Sequence, residues 1–387
     1  MPKNKKIFNR RFTLFFVIAT AVNVTQFMSN GSFSVAADAA GVSASMIGVI
    51  TSIVGIVSFL MMVLAGPASV SIAPHKLWSI TCFGYAVSYF LMSRGVMGLY
   101  VAAYAIDGFV TGFQAPAMMM ILRDCVSEDN IGSAMGVYQM RNSIAKVVGP
   151  LLGLNGLCIL LGYMENFLVC SGLMLLYAVV IAFSMKLKET EFKPAPFKMQ
   201  PQNIIVKGGL IPFLITVCLG IAQMGMGPFN TVYAKTTFGA INIGLMMSIG
   251  NLGAIFIAPQ ISRLTDKVSP ARMLLGSLLL FAVGPVLFST AVSFAMCIVA
   301  ACFQFIGFAV IASALQTLLV RNSPKELSSV AGNTFSGGLN LGSFFGPLIA
   351  GQLVTAFGYR TMYMLLLIPI AVAAVLTVVY SRTCRVN

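Results

Sequence analysis

Asp107, Lys146 and Arg141 are ionisable side chains set inside long apolar runs of this chain. A charge at the middle of a bilayer costs about 2.5–3.5 kcal/mol on insertion scales, so such a residue is a functional candidate by default. The chemistry on offer is proton binding and release at Asp107 and anion binding at Lys146 and Arg141. The structural alternatives are an Asp107–Lys146 ion pair that neutralises both, and an Arg141 that carries its head to the nearer surface from about one turn inside. Helix rise alone puts Asp107 and Lys146 at depths that differ by roughly 10 Å, which leaves their contact open.

Amides and hydroxyls recur around these charges at helical spacing. Thr20, Asn23, Gln26 and Asn30 form one set, and Asp107, Thr111 and Gln114 a second. Gln223, Asn230 and Tyr233 form a third, joined by Gln304, Asn333 and Asn340 in later runs. Steps of three and four place each set on about one helix face. An amide facing lipid is costly, so these faces should turn inward, either to bind substrate or to hold helices together. Other chemistry has little material. There is one histidine (His75), ten acids, and eight cysteines without a CxxC pair. No metal site and no cofactor is expected, the phosphate-binding GxxxxGK[ST] pattern is absent, and an enzyme is not expected.

The elements that must position these residues are transmembrane helices. Of the 387 residues, 58% are hydrophobic and 9% charged, with a mean hydropathy of +0.92. A soluble domain carries roughly 25% charged residues. Apolar runs of bilayer length fall near 12–33, 45–69, 76–93, 98–120, 138–160, 167–185, 209–232, 241–262, 271–290, 294–319, 330–355 and 361–381. The fold class expected is therefore all-α integral membrane, with twelve transmembrane helices. With the N-terminus inside, twenty of the 24 lysines and arginines fall in cytoplasmic segments, three in external loops, and Lys146 alone in mid-span. That asymmetry follows the positive-inside rule and places both termini in the cytoplasm. It also accounts for the net charge of +14 without nucleic acid.

Residues 186–208, with charges and three prolines, read as a cytoplasmic linker between a 1–185 bundle and a 209–387 bundle of six helices each. The halves echo one another. Gly149-Pro150 and Gly346-Pro347 stand 197 residues apart, Pro74 and Pro270 196, and Arg123 and Arg321 198. One shared offset argues for internal duplication, the build of many secondary carriers.

On these residues the chain resembles the major facilitator superfamily over essentially its whole length. Ser262-Arg-Leu-Thr-Asp266 through Arg272 is similar to the family's loop motif GxLaDrxGrr, whereas Val70 replaces the aspartate in the first half. Arg141-xxx-Ala145-xxx-Gly149-Pro150-xx-Gly153 is a partial match to the antiporter motif of the fifth helix, departing at Arg141 and at Leu154. Gly338, Gly342, Gly346 and Pro347 repeat the pattern in span 11. Small residues four apart let helices approach closely, and proline permits a bend.

The resemblance implies the major facilitator fold of two pseudo-symmetric bundles. It further implies spans 1, 4, 7 and 10 lining a cavity, and gating at Asp266, Arg272, Arg321, Arg123, Gly149, Pro150, Gly346 and Pro347. Substrate contacts are then expected at Lys146, Arg141, Asn23, Gln26, Asn30, Thr111, Gln114, Gln223, Asn230, Tyr233, Gln304 and Asn340, with proton coupling at Asp107. The function expected is proton-coupled export of small amphipathic or anionic organic molecules by a multi-pass, monomeric protein. Its location would be the bacterial inner or plasma membrane, and it would resemble drug and metabolite efflux members. An uptake permease or uniporter is the alternative, and a non-transporting membrane sensor a further one.

Overall fold

In the computed structural model the described residues are 9–126, 131–185, 209–262, 270–321 and 328–383. Among them the first half runs α1 Arg10–Ala39, α2 Ala44–Ser71, α3 Pro74–Met92, α4 Met97–Cys125 and α5 Ile131–Pro150. A π-turn Leu151–Leu157 continues α5 into the short α6 Cys158–Leu160, and α7 Tyr163–Ser184 follows. The second half runs α8 Leu210–Phe238, α9 Ile243–Ser262, α10 Pro270–Ser289, α11 Phe294–Arg321, α12 Ser328–Leu365 and α13 Leu367–Thr383.

Nine helical stretches among the described residues are long and apolar enough to cross a membrane. One of them, Thr334–Arg382, is 49 residues long and contains Gly358 at φ 79°, a left-handed conformation that interrupts the helix. Ile243–Ile257 is a shorter apolar helix. Backbone donors and acceptors that face hydrocarbon must be satisfied within the segment, which is why apolar runs of this length become helices. The ends are set locally. Pro74 opens α3 where its missing N–H is not needed. Gly239 closes α8 in the left-handed conformation and returns its N–H to Lys235.

Contacts group the chain into two compact units, Met1–Ser32 with Leu60–Met199, and Phe33–Phe59 with Gln200–Asn387. In the first unit α3 packs against α4 and α7. In the second, α8 packs against α12, and α11 against α9 and α10. The α8–α12 seam is glycine against glycine. A Cβ added to Gly342 would lie 2.6 Å from the Gly220 carbonyl carbon, and one on Gly346 2.6 Å from the Ile221 oxygen. The other side of α12 receives α2. A Cβ on Gly48 would strike the Pro347 backbone, and Gln352 Nε2 donates to Ser45 Oγ at 2.7 Å. The span 11 glycines, read from the sequence as packing or as a hinge, thus form a close-packing seam in this structure.

Candidate functional site

In the first unit, one face of α4 carries Asp107, Thr111, Gln114 and Met118, spaced at four, three and four residues. Asp107 is 4% exposed, and its Oδ1 has no hydrogen-bond partner among the described residues. The Ser88 hydroxyl of α3 lies within hydrogen-bonding reach of the carboxyl and of the Ala103 carbonyl at 3.0 Å. Tyr85 and Tyr89 of α3 and Tyr104 of α4 lie near enough to the carboxyl to feel its charge. Lys146 does not meet it. The ion pair found among the described residues is Arg11–Asp124 at 2.9 Å, and the Lys146 side chain is exposed. The Asp107–Lys146 pair left open by the sequence is therefore not formed here. Asp107 stands near three tyrosines, and among the described residues it has no ion pair.

A relay of hydrogen bonds runs from the next turn of α4 toward α1. The hydroxyls of Tyr85 and Thr111 are 2.8 Å apart, Tyr85 also donates to Gln114 Oε1 at 3.4 Å, and Gln26 Nε2 donates to the same oxygen at 3.1 Å. Gln114 Nε2 is buried without an acceptor among the described residues.

Beside Met118, one turn further along α4, stands Arg141 of α5, which is 9% exposed. It donates to Asn23 Oδ1 at 3.0 Å and to Met118 Sδ at 3.5 Å, and it stacks 3.9 Å over the Tyr138 ring. Asn23 in turn donates to Asn142. Every partner of Arg141 among these is neutral, and its Nε has none. A buried cation is ordinarily paired with an anion, so this arrangement can receive one.

The second unit holds an amide chain without charge. Tyr363 Oη donates to Asn230 Oδ1 at 3.0 Å, Asn230 Nδ2 to Gln304 Oε1 at 2.9 Å, and Gln304 Nε2 to Gln223 Oε1 at 3.1 Å. All donors point the same way, which leaves the Gln223 amide nitrogen as the terminal donor. Tyr233 is buried against Tyr359 and Tyr363, with ring centroids 5.5 Å away in each case.

Several expected site residues stand apart from these networks. Asn30 and Lys146 are exposed, and Asn340 sits at the α2–α12 contact, where a Cβ on Gly55 would lie 2.8 Å from its carbonyl oxygen. Thr20 belongs to another face of α1 and turns its hydroxyl onto the Phe16 carbonyl at 2.7 Å. Of the gating residues, Gly149 packs on α1, where a Cβ would lie 2.5 Å from that of Phe27, and Pro150 ends α5 at the π-turn. Gly346 and Pro347 lie in the α12 seams, and Arg123 and Arg272 are exposed at helix ends. Asp266 lies outside the described residues, as does the Arg321 side chain.

Sequence reading missed Tyr85, Met118, Tyr138, Asn142 and Tyr363. Asn142 stands beside Arg141, and Tyr85 shares the buried Thr81–Tyr85–Ser88 face of α3.

The Major Facilitator Superfamily sequence profile matches residues 15–212 and again 212–383, one match to each half. The chain belongs to the Major Facilitator Superfamily. Among the superfamily's curated members it is 25% identical to the multidrug resistance protein MdtG of Yersinia enterocolitica, over 84% of this chain and 81% of that protein. It is 22% identical to an uncharacterised MFS-type transporter of Methanocaldococcus jannaschii, over 74% of this chain and 77% of that one. Solved transporter structures share its fold despite low identity. The nucleoside transporter NupG aligns at TM-score 0.80 and 11% identity, covering 97% of this chain and 99% of its own. A POT family transporter in complex with 5-aminolevulinic acid aligns at 0.79 and 13%, covering 96% and 95%. The protein is a multi-pass membrane transporter of this superfamily, related to bacterial multidrug efflux members.

Proposed function

We propose that this transporter exports small amphipathic or anionic organic molecules in exchange for protons, by alternating access of twelve helices with both termini in the cytoplasm. The observation that supports it most is the first-unit network. It presents the unpaired donors of Arg141 on α5 and Gln114 on α4, and one turn of α4 from the relay stands a buried carboxyl with a bare oxygen. Donors without acceptors suit an acceptor-rich substrate, and a carboxyl without a cation suits a proton carrier. The relation to multidrug resistance proteins favours export, and the inner membrane is the location that fits such relatives.

The substrate sites of this reading are Arg141, Asn23, Gln26, Gln114 and Thr111 in one unit and Gln223, Asn230 and Gln304 in the other. Lys146, Asn30, Tyr233 and Asn340 remain candidates outside the two networks. Because Asp107 and Lys146 are not paired, substrate cannot release the acid by displacing that lysine. Coupling would instead run through the Thr111–Tyr85–Gln114 relay.

The same lack of a joint site favours the second reading, a uniporter or uptake permease with Asp107 structural. Proteoliposomes with an imposed pH gradient distinguish them. Asp107→Asn fixes the neutral form with little change of shape. It should keep counterflow exchange and lose accumulation against a substrate gradient. Uphill transport by Asp107→Asn at the wild-type rate would make Asp107 structural, and a wild type indifferent to the gradient would establish the uniporter.

A further inference from the structure

A groove of about 660 Å³ opens along the first unit between α1, the π-turn and α7, away from the polar network. Its origin is local. Gly153 presses α5 onto α1, where a Cβ would lie 2.7 Å from the Met28 oxygen. The backbone then widens into the π-turn, with the Cys158 N–H bonded back five residues to the Gly153 carbonyl. Gly156 floors the space that results, and a Cβ there would meet only the Leu151 oxygen, at 3.5 Å.

The walls are apolar. Thr20 and Thr25, which line the groove, turn their hydroxyls onto the Phe16 and Ala21 carbonyls at 2.7 and 3.1 Å. A dry groove of this size suits an apolar ligand. From Phe16 to Met28 it follows twelve residues of α1, about 18 Å of helix. That is close to one leaflet, half of a hydrocarbon core about 30 Å thick. Its rim residues Val17, Leu160 and Val169 are exposed apolar side chains on membrane-spanning helices, so the opening faces lipid.

Above one end stands a charge. Arg10 precedes Val17 by seven residues, Ala21 by eleven and Met28 by eighteen, so all four share one helix face. Arg10 is exposed at the start of α1, and among the described residues it has no acid partner, whereas its neighbour Arg11 pairs with Asp124. Six residues, about 9 Å, separate Arg10 from the start of the groove, which puts its head among lipid headgroups.

We propose that this groove is a binding site for an anionic glycerophospholipid of the leaflet on the Arg10 side, with one acyl chain between α1 and α7 and the phosphate on Arg10. The residues involved are separate from those of the transport reading, so the two stand or fall independently.

Native mass spectrometry of the full-length protein, given equimolar phosphatidylglycerol and phosphatidylcholine of identical chains, tests it. Wild type should retain phosphatidylglycerol about fivefold better, the preference expected from one cation at a membrane surface. Arg10→Ala should bind the two lipids equally, and Arg10→Lys should keep the preference. Gly156→Phe and, independently, Thr20→Phe fill the groove and should lose the adduct, with Trp78 fluorescence melting showing that each variant is folded. Should both fail to fold, the two Arg10 variants still decide. Equal binding of both lipids by wild type overturns the proposal, as does an adduct that survives both filling variants. Oleate competing as well as phosphatidylglycerol would assign the groove to a free amphiphilic anion and overturn it too.

Discussion

Arg141 is held on its described sides by neutral groups, the Asn23 oxygen, the Met118 sulfur and the face of Tyr138. Removing it strands the Asn23 oxygen and uncovers the ring. Arg141→Ala should therefore cost about 1–3 kcal/mol of stability, the penalty of an unsatisfied buried polar group. Arg141→Lys keeps the charge but loses the flat fork that stacks and donates at once. In transport assays, Arg141→Lys should raise KM for anionic substrates and leave neutral ones nearly unchanged. An equal effect on both classes would reduce Arg141 to a packing role. The sequence exposed Arg141 and Asp107 because charge in an apolar run stands out. It did not expose the Tyr85–Gln114 or Asn23–Asn142 contacts, because a hydrogen bond between helices depends on the rotation of each helix about its axis, which a one-dimensional pattern leaves free.

Among the elements, α12 shows how small residues become structure. Its glycines at 342 and 346 face Gly220 and Gly225 of α8, backbone against backbone, and Gly338 meets the Thr216 side chain and the Phe213 carbonyl. With no hydrophobic drive between helices in lipid, such close approach is a main source of association. Gly342→Leu must part the helices, because the atoms it meets belong to the Gly220 and Ile221 backbone. It should destabilise the protein by at least the roughly 1–3 kcal/mol of an overpacked core, read as a lower melting temperature in detergent. Gly227, in α8, meets nothing within 4 Å. Gly227→Ala should be neutral or stabilise by about 0.4–1 kcal/mol. Equal melting of Gly342→Leu and wild type would mean that the seam is not tight. The glycine period was plain in the sequence, which left its use open between close packing and a bend. Which helix it packs against was not plain, since α8 lies about 120 residues away.

For the whole molecule, charge distribution sets orientation and contact sets the units. Twenty of 24 cationic side chains fall on one side of the proposed topology. Tags at residue 197 and at either terminus should accordingly be reachable only from the cytoplasm, and labelling of residue 197 from outside intact cells would sink the twelve-span arrangement. The sequence by itself determined that the chain is helical, membrane-embedded and internally duplicated. These properties follow from composition, run length and a repeat offset, each of which is additive along the chain. Tertiary structure alone decided that Phe33–Phe59 packs with the second unit, although it lies far ahead of the linker expected at 186–208, which is outside the described residues. It alone decided that Asp107 lies near tyrosines and is not paired with Lys146, and that α1 carries amides on one face and an apolar groove on another. Those outcomes depend on helix rotation, on depth and on the π-turn after Pro150, where one wide turn moves every later side chain. The free energy of such choices resides in contacts between residues far apart in sequence, and no local pattern records it.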